Sequence, residues 1–411
     1  MRKFRYLSAV LACVLVFLAG CGEPAVNVPD TDTTTTDPAA ETTEEPAGDE
    51  TDDRETEAVE LQDTIDFLGD MKIGWNLGNT MDASDCTWLS EEMSYETSWQ
   101  PDVTTPEMMK ALKEAGFGTI RVPVSWHNHV SGEDYTISTE WMDRVQEIVD
   151  YAIDEGLYVI LNIHHDTDKE YIYPDKEHAE QSLHYAACIW KQIAERFADY
   201  DNHLIFEGIN ECRLKGTNNE WNSNENTAAV KEAAQCINDI NQTFVDTVRA
   251  TGGNNATRYL MVSGYCASAD GALFNCFKLP KDSVKNRLIV SVHAYTPYDF
   301  ALNMNGMSEF TDAGKQNIAY FMKKLYNTYV SQGVPVIIGE MGALDKDNLA
   351  NRVAWAEYYV ETAREYGMVC VWWDNNYLGD DGESFGLLNR ATCDWVFPEL
   401  KDALINGTIE D

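Results

Sequence analysis

The sequence is short of positive charge and lacks a nucleotide-binding fingerprint. Against 69 aspartates and glutamates it has only 30 lysines and arginines, so its formal net charge is −39 at pH 7. A chain this acidic repels nucleic acid and anionic lipid, and we expect neither to be a partner of its folded part. No Gly-x-Gly-x-x-Gly motif follows any predicted strand. The balance of charge favours a neutral substrate.

The ten cysteines fit no metal or redox pattern, because none belongs to a Cys-x-x-Cys pair. The neighbours His164 and His165 could suggest a metal site, but adjacent residues of a strand point to opposite faces. We therefore expect no metal and no other cofactor. Sequence alone does not pair the cysteines into disulfides.

The N-terminus has the pattern of an export signal. Three basic residues, Arg2, Lys3 and Arg5, precede a short apolar run, so residues 1–20 are predicted to be a signal peptide. The segment Leu18-Ala-Gly-Cys resembles the bacterial lipobox, which would make Cys21 the lipidated first residue of the mature protein. An ordinary cleaved signal and an uncleaved anchor are the alternatives. We expect export to the bacterial cell surface or beyond it.

Residues 21–58 are rich in threonine, proline and acidic side chains and contain one basic residue, Arg54. Such a segment buries too little apolar surface to fold, and its charges repel one another. We interpret it as a disordered tether. The single folded domain is predicted to occupy residues 59–411, and we expect it to be monomeric.

Apolar strand patterns and helical patterns alternate from residue 71 onward. Eight strands are predicted, at residues 72–79, 119–126, 158–165, 203–211, 258–267, 288–295, 335–342 and 368–375. This alternation predicts a (β/α)8 TIM barrel. An open doubly wound sheet is the alternative, although no dinucleotide motif supports it.

Polar side chains are concentrated at the predicted C-terminal ends of the strands, where such barrels carry their active sites. They are Asn76, Asn79, Arg121, His164, His165, Asn210, Glu211, His293, Tyr295, Glu340 and Trp373. Two of them, Glu211 and Glu340, end apolar strands and should face one mouth. Glycosidic bond hydrolysis needs such a pair, in which one carboxyl protonates the leaving oxygen and the other attacks or activates water.

The remaining polar groups have supporting roles in this interpretation. Arg121 alternates with outward-facing apolar residues, so it should point to the barrel axis and keep one glutamate ionised; a purely structural ion pair is the alternative. His293 and Tyr295 share a face and can donate hydrogen bonds. Trp373 offers a flat surface for a sugar ring. Glu207 lies deeper than Glu211, and we expect it to be structural.

Several segments together resemble the strand-end motifs of glycoside hydrolase family 5, above all its bacterial endoglucanase branch. The segments are Ile73-Gly-Trp-Asn-Leu-Gly-Asn, Thr119-Ile-Arg-Val-Pro-Val, Leu161-Asn-Ile-His-His, Leu204-Ile-Phe-Glu-Gly-Ile-Asn-Glu, Val292-His-Ala-Tyr, Ile338-Gly-Glu and Val371-Trp-Trp-Asp-Asn. The resemblance implies that Glu211 is the acid/base and Glu340 the nucleophile of a retaining enzyme. We expect Arg121 and other donors to keep Glu340 ionised, and Glu211, which has fewer donors, to be protonated. Cys212 departs from the pattern, since the family usually has proline there, and the thiol raises the question of oxidation.

The substrate implied by the resemblance is a β-1,4-linked glucan, and possible chains include cellulose-type, mixed-linkage and xyloglucan polymers. Asn76, Asn79, Trp126, His164, His165 and Trp373 should line an open groove, together with the aromatic residues of the loop from 81 to 101. His127 and His129, which follow the second strand, are further candidates for the cleft, and a place in the core is their alternative. Neutral amides and aromatic rings suit an uncharged chain. The alternatives are a mannanase or xylanase of the same fold and a non-catalytic carbohydrate-binding barrel.

The lipobox predicts that Cys21 carries the membrane anchor. In a bacterial host fed a fatty-acid probe, we expect the wild-type protein to be labelled and the Cys21→Ser variant to be unlabelled. One acyl chain alone holds a protein only weakly, so more than one should be attached. Equal labelling of both proteins would rule out an anchor at this residue.

Overall fold

A computed structural model of the chain describes residue 64 and residues 66–408, with the exception of residues 380 and 381. The predicted signal peptide, Cys21 and the tether lie outside these residues. In the described part of the chain, no helix combines the length and apolar character that a membrane span requires.

Eight parallel strands form a closed barrel in which each strand pairs with its neighbour in sequence and the eighth pairs with the first. We number them one to eight in chain order: Gly74–Leu77, Thr119–Val122, Tyr158–Asn162, Leu204–Glu207, Leu260–Ser268, Leu288–His293, Val336–Met341 and Val369–Asp374. The predicted TIM barrel is therefore confirmed, and closure of the sheet excludes the open alternative. Each observed strand overlaps a predicted one, although most are shorter.

Helices cover the outside of the barrel. The longer ones are Pro106–Ala115, Thr139–Asp154, Ala179–Arg196, Ala228–Ala250, Asp312–Thr328, Leu349–Glu365 and Pro398–Asn406, with short helices at Ala269–Ala272 and Tyr298–Ala301. Their ends follow the sequence signals. Pro106 begins the first of them, and Gly116 ends it in a left-handed conformation with φ of 107°.

The barrel interior is built in two layers because successive side chains of a strand alternate between faces. The lower layer is apolar and is closed from below by Phe67 and Met71; its strand residues are Ile160, Ile205, Met261, Ile289, Ile337 and Val371. Two residues further along several strands, the inward side chains are polar and buried: Asn162, Glu207 and Ser291. This polar layer supports the mouth of the barrel.

A shift in strand pairing sets the direction of the Glu340 side chain near the end of strand seven. Strands six and seven pair Val292 with Ile338, but the next pair is His293 with Glu340, so one residue, Gly339, is left out of the register. Such a shift re-aims the side chains that follow it. As a result, Glu340 lies beside His293 at the mouth, although strict alternation from Ile337 would turn it outward.

Candidate active site

The centre of the site is the guanidinium of Arg121, which is fully buried on the barrel axis. Its Nε donates to Glu207 at 2.7 Å, and Nη1 donates to both Asn76 and Glu340, at 2.9 and 2.8 Å. Nη2 donates to Asn210 Oδ1 at 2.7 Å. The predicted orientation of Arg121 is confirmed. Asn76 is also fully buried and donates to backbone carbonyls, so it positions Arg121 and does not face the cleft.

Glu340 accepts a hydrogen bond on each carboxylate oxygen. Arg121 Nη1 donates to Oε1, and the Tyr295 hydroxyl donates to Oε2 at 3.0 Å. Two donors on two oxygens leave no acceptor partner for a carboxyl proton, and this arrangement suits the ionised form. The carboxylate side chain of Glu340 is 7% exposed, so it lies at the base of the mouth.

Glu211 contacts the same histidine as Glu340. His293 Nδ1 lies 2.9 Å from Glu211 Oε1 and 3.6 Å from Glu340 Oε2. One side-chain nitrogen or oxygen atom from each of Glu211, His293 and Glu340 lies within 4.8 Å of the other two. Glu211 is 20% exposed and is therefore the more accessible of the two carboxylates.

The pKa shifts of this triad are coupled through charge. Burial raises the pKa of Glu340, and the charge of Glu211 adds to it, while His293 and Arg121 oppose the shift only in part. Burial acts the same way on Glu211, but the hydrogen bond and charge of His293 outweigh it and lower the pKa of that carboxyl. Burial disfavours the imidazolium of His293, yet the charges of Glu340 and Glu211 prevail and raise its pKa.

These directions contradict one expectation from the sequence, that Glu211 would be the protonated partner because it has fewer donors. The hydrogen bond and the charge of His293 favour the Glu211 anion. The expectation counted donors but did not place His293 beside Glu211. The pair and its histidine titrate together, so the proton is best described as shared within the triad.

His164 presents a hydrogen-bond donor to the cleft. Asn162 Oδ1 accepts from the backbone N–H of Val124, so its amide nitrogen faces His164 Nδ1 at 3.1 Å. The neutral ring therefore accepts at Nδ1 and carries its proton on Nε2. Burial holds the pKa of His164 well below its ordinary value, which keeps the ring neutral. Asn210 lies next to it, with its own amide nitrogen 3.5 Å from Nε2.

Trp373 forms a flat aromatic wall beside His164. Its ring lies parallel to that of His164, with centroids 5.9 Å apart. The wall rests on Gly78, where an added Cβ would come within 2.8 Å of the indole and of the Asp374 carbonyl oxygen. Glycine at this position therefore lets the tryptophan settle against strand one.

His165 and Asn79 flank this wall. The His164 and His165 rings meet edge to face at 4.4 Å, because strand three ends at Asn162 and alternation no longer applies. The prediction that the two imidazoles would diverge is therefore wrong. Asn79 has a left-handed backbone with φ of 58°, and Asp82 accepts its backbone N–H.

The two histidines and Asp82 could together suggest a metal site, since one donor atom of each lies within 4.8 Å of the others. Both Asp82 oxygens, however, already accept backbone N–H groups, from Asn79 and Thr80. His164 Nδ1 is engaged by Asn162. These atoms, which could ligate a metal, are thus already hydrogen-bonded within the protein, and we assign no ion to the cluster.

Some residues expected near the cleft belong to the core. Trp126 is fully buried and donates its indole N–H to the Asn162 carbonyl. His129 stacks on Trp141, with ring centroids 3.6 Å apart. In the long loop after strand one, Trp99 contacts the His165 ring at 5.6 Å, whereas Trp88 is 67% exposed.

Cys212, the departure from the family pattern, is buried, and burial raises the pKa of its thiol to about 12. A thiol this rarely ionised reacts slowly with oxidants. The eight cysteines among the described residues are all free.

Sequence reasoning missed two polar residues beneath the site. Asn162 holds His164 and donates to Glu207 at 2.9 Å, and Ser291 donates to the other oxygen of Glu207. Each lies two residues after an inward apolar residue of its strand, Ile160 or Ile289, and so shares its face. The period of the strand could have identified both.

Comparison with known proteins agrees with this geometry. The sequence profile described as Cellulase (glycosyl hydrolase family 5) matches residues 81–379. Endoglucanase B of Ruminococcus albus is 45% identical over 339 residues, which are 82% of this chain and 79% of that protein.

Two solved structures extend the comparison. A family 5 lichenase from Caldicellulosiruptor sp. F32, in complex with cellotetraose, is 50% identical with a TM-score of 0.83, covering 84% of this chain and 95% of that one. A broad-specificity endoglucanase of Ruminococcus champanellensis with bound cellotriose is 48% identical with a TM-score of 0.79. The match covers 83% of this chain and 97% of that one. The chain belongs to glycoside hydrolase family 5 and is a glycoside hydrolase.

Proposed function

We propose that the protein is an exported, retaining endo-β-1,4-glucanase in which Glu340 is the nucleophile and Glu211 the acid/base. The observation that carries the proposal is the closeness of the two carboxylates, whose oxygens come within 4.8 Å. Retaining glycosidases hold the carboxyl groups about 5–5.5 Å apart, whereas inverting enzymes leave about 6.5–9.5 Å for a water molecule. The spacing here suits direct attack by one carboxylate.

In the first step, a Glu340 oxygen forms a bond to the anomeric carbon while the glycosidic bond breaks and the leaving oxygen takes a proton from Glu211. In the second step, Glu211 removes a proton from water, which attacks the same carbon and releases Glu340. Arg121 and Tyr295 hold the attacking carboxylate with one donor on each oxygen. They therefore orient it before the substrate binds.

The proton for the first step is supplied by His293. Its Nδ1 lies 2.9 Å from Glu211 Oε1, and the neighbouring carboxylates raise its pKa. When a sugar chain covers the cleft and excludes water, the Glu211 anion loses solvation and becomes a better proton acceptor. Transfer along this hydrogen bond then produces the acid that the leaving group needs.

The cleft is suited to a neutral chain of equatorial sugars. Trp373 offers a stacking surface, and His164 Nε2 and Asn210 offer uncharged donors beside it. Arg213, the cation nearest to Glu211 in sequence, is already paired with Glu220 and stacked on Trp221. The names of the lichenase and the broad-specificity endoglucanase support mixed-linkage and cellulose-type glucans as substrates, with xyloglucan as a further candidate.

The N-terminal pattern supports a location at the bacterial cell surface. Anchoring through Cys21 would hold the enzyme on the membrane while the acidic tether extends it towards polymer.

Removal of the nucleophile should abolish turnover but not binding. We expect Glu340→Gln to fold and to bind cellotetraose by calorimetry, and its turnover of carboxymethyl cellulose to fall by roughly 10⁴-fold or more. Glu361→Gln, on the outer surface of the helix Leu349–Glu365, makes the same chemical change away from the site and should retain full activity. Substantial turnover by a folded Glu340→Gln would place the nucleophile elsewhere.

Double displacement should preserve the anomeric configuration. In proton NMR spectra recorded before mutarotation, we expect the β-anomer of the new reducing end to accumulate first, because two inversions at one carbon restore the original geometry. If the α-anomer is the first to form, a water molecule attacks directly and Glu340 is not a nucleophile.

The enzyme should cut inside the chain and prefer glucans. At equal enzyme concentration we expect the viscosity of carboxymethyl cellulose and mixed-linkage β-glucan solutions to fall much faster than that of mannan or xylan. A faster fall in the viscosity of mannan or xylan solutions would contradict the assigned substrate. Release of single glucose units without loss of viscosity would contradict internal cleavage.

A further inference from the structure

Glu207 is a third carboxylate close to the reaction centre that the proposed mechanism does not use. It ends strand four, and its side chain is fully buried below the mouth, where no substrate can touch it. A buried ion pair is weak support for stability, since apolar residues of the same volume often serve equally well. Its position beneath the catalytic pair therefore needs another explanation.

The contacts of Glu207 fix one end of the Arg121 guanidinium. Arg121 Nε and the Asn162 amide donate to Oε2 at 2.7 and 2.9 Å, and the Ser291 hydroxyl donates to Oε1 at 2.5 Å. The opposite edge of the same planar group reaches Glu340 and Asn210. Because the guanidinium is rigid, the group that holds Nε also determines where Nη1 and Nη2 lie.

One cation is thus shared by two carboxylates. If Glu207 were neutral, the whole charge of Arg121 would act on Glu340 and would stabilise its anion further. A more stable anion is a weaker nucleophile. Burial raises the pKa of Glu207, but the charges of Arg121 and His293 and the hydrogen bonds from Ser291 and Arg121 together lower it, so these contacts favour a negative charge on Glu207.

We propose that Glu207 is a positioning residue that divides the charge of Arg121 with Glu340 and so sets the pH range in which the catalytic pair works. The proposal rests on the assignment of Glu340 as nucleophile made above. Other charged or titratable groups surround the pair from the neighbouring elements, and they are unchanged by substitution at this position: His164 and His165 after strand three, Arg213 after strand four, Cys266 on strand five, His293 and Tyr295 from strand six, and Glu383 after strand eight.

Glutamine can replace Glu207 with little change in hydrogen bonding. Its carbonyl oxygen can occupy the place of Oε2 and accept from Arg121 and Asn162. Its amide nitrogen would then face Ser291, whose hydroxyl can rotate to accept. The substitution Glu207→Gln therefore removes a charge and leaves the shape of the site.

The test is the pH dependence of kcat/KM on mixed-linkage β-glucan. The two limbs report the macroscopic ionisations of the coupled catalytic pair and His293. Removal of a nearby negative charge favours the deprotonated form of every acid around it. We therefore expect both limbs of the Glu207→Gln profile to move to lower pH by about one unit. In Glu207→Asp the carboxylate is drawn back from Arg121, so both limbs should move in the same direction by a smaller amount.

Ser291→Ala is the matched control, because it removes a hydrogen bond from the same carboxylate and keeps the charge. Its limbs should stay at the wild-type pH even if its rate falls. A purely structural role would lower the melting temperature of Glu207→Gln and leave its limbs in place, which would overturn the proposal. If Glu207→Gln does not fold, unshifted limbs in Glu207→Asp overturn it equally.

The two proposals fail in different ways. If the wild-type enzyme cleaves no β-1,4-glucan, the proposed function is wrong. If the wild type cleaves glucan with a bell-shaped profile and the profile of the Glu207 variants coincides with it, only the role of Glu207 is wrong.

Discussion

One buried guanidinium holds the mouth of the barrel together. Arg121 stands on strand two, and its guanidinium makes four hydrogen bonds to side chains on strands one, four and seven and just after strand four. An unpaired cation at this depth would cost several kcal/mol, so the acceptors must be in place for the barrel to close around it. Each acceptor is itself fixed by a strand. The fold and the reaction centre consequently depend on the same set of hydrogen bonds.

The sequence predicts most of this arrangement because strands impose a period of two. Eight apolar runs alternating with helical patterns were enough to predict the barrel. Alternation within Thr119–Val122 was enough to predict that Arg121 points inward. The same rule, counted from the inward residues Ile160 and Ile289, would also have yielded Asn162 and Ser291. Where a strand ends, the rule ends as well. Trp126 lies beyond the end of strand two, and its burial follows from tertiary packing alone.

Other features depend on contacts that no local pattern reveals. The shift of register after Val292 brings His293 beside Glu340, and His293, which also contacts Glu211, lowers the pKa of that carboxyl. At the base of the barrel, the buried guanidinium of Arg258 donates to the side chain of Asn255 and to the carbonyls of Phe197, Tyr200, Asp201 and Leu204. Nothing in the sequence around Arg258 distinguishes it from an arginine on the surface.

Part of the aromatic surface stands apart from the strands that carry the charged groups: Trp373 belongs to strand eight, but other aromatic residues lie in a loop. Glu340, Arg121 and Glu207 belong to strands and are tied to one another beneath the mouth, whereas Trp88 and Trp99 belong to the loop that follows strand one. Sequence changes in that loop can therefore alter which polymer is held without disturbing the charges that cleave it. A scaffold divided in this way can diversify by exchanging loops, since each new loop inherits a reaction centre that is already assembled.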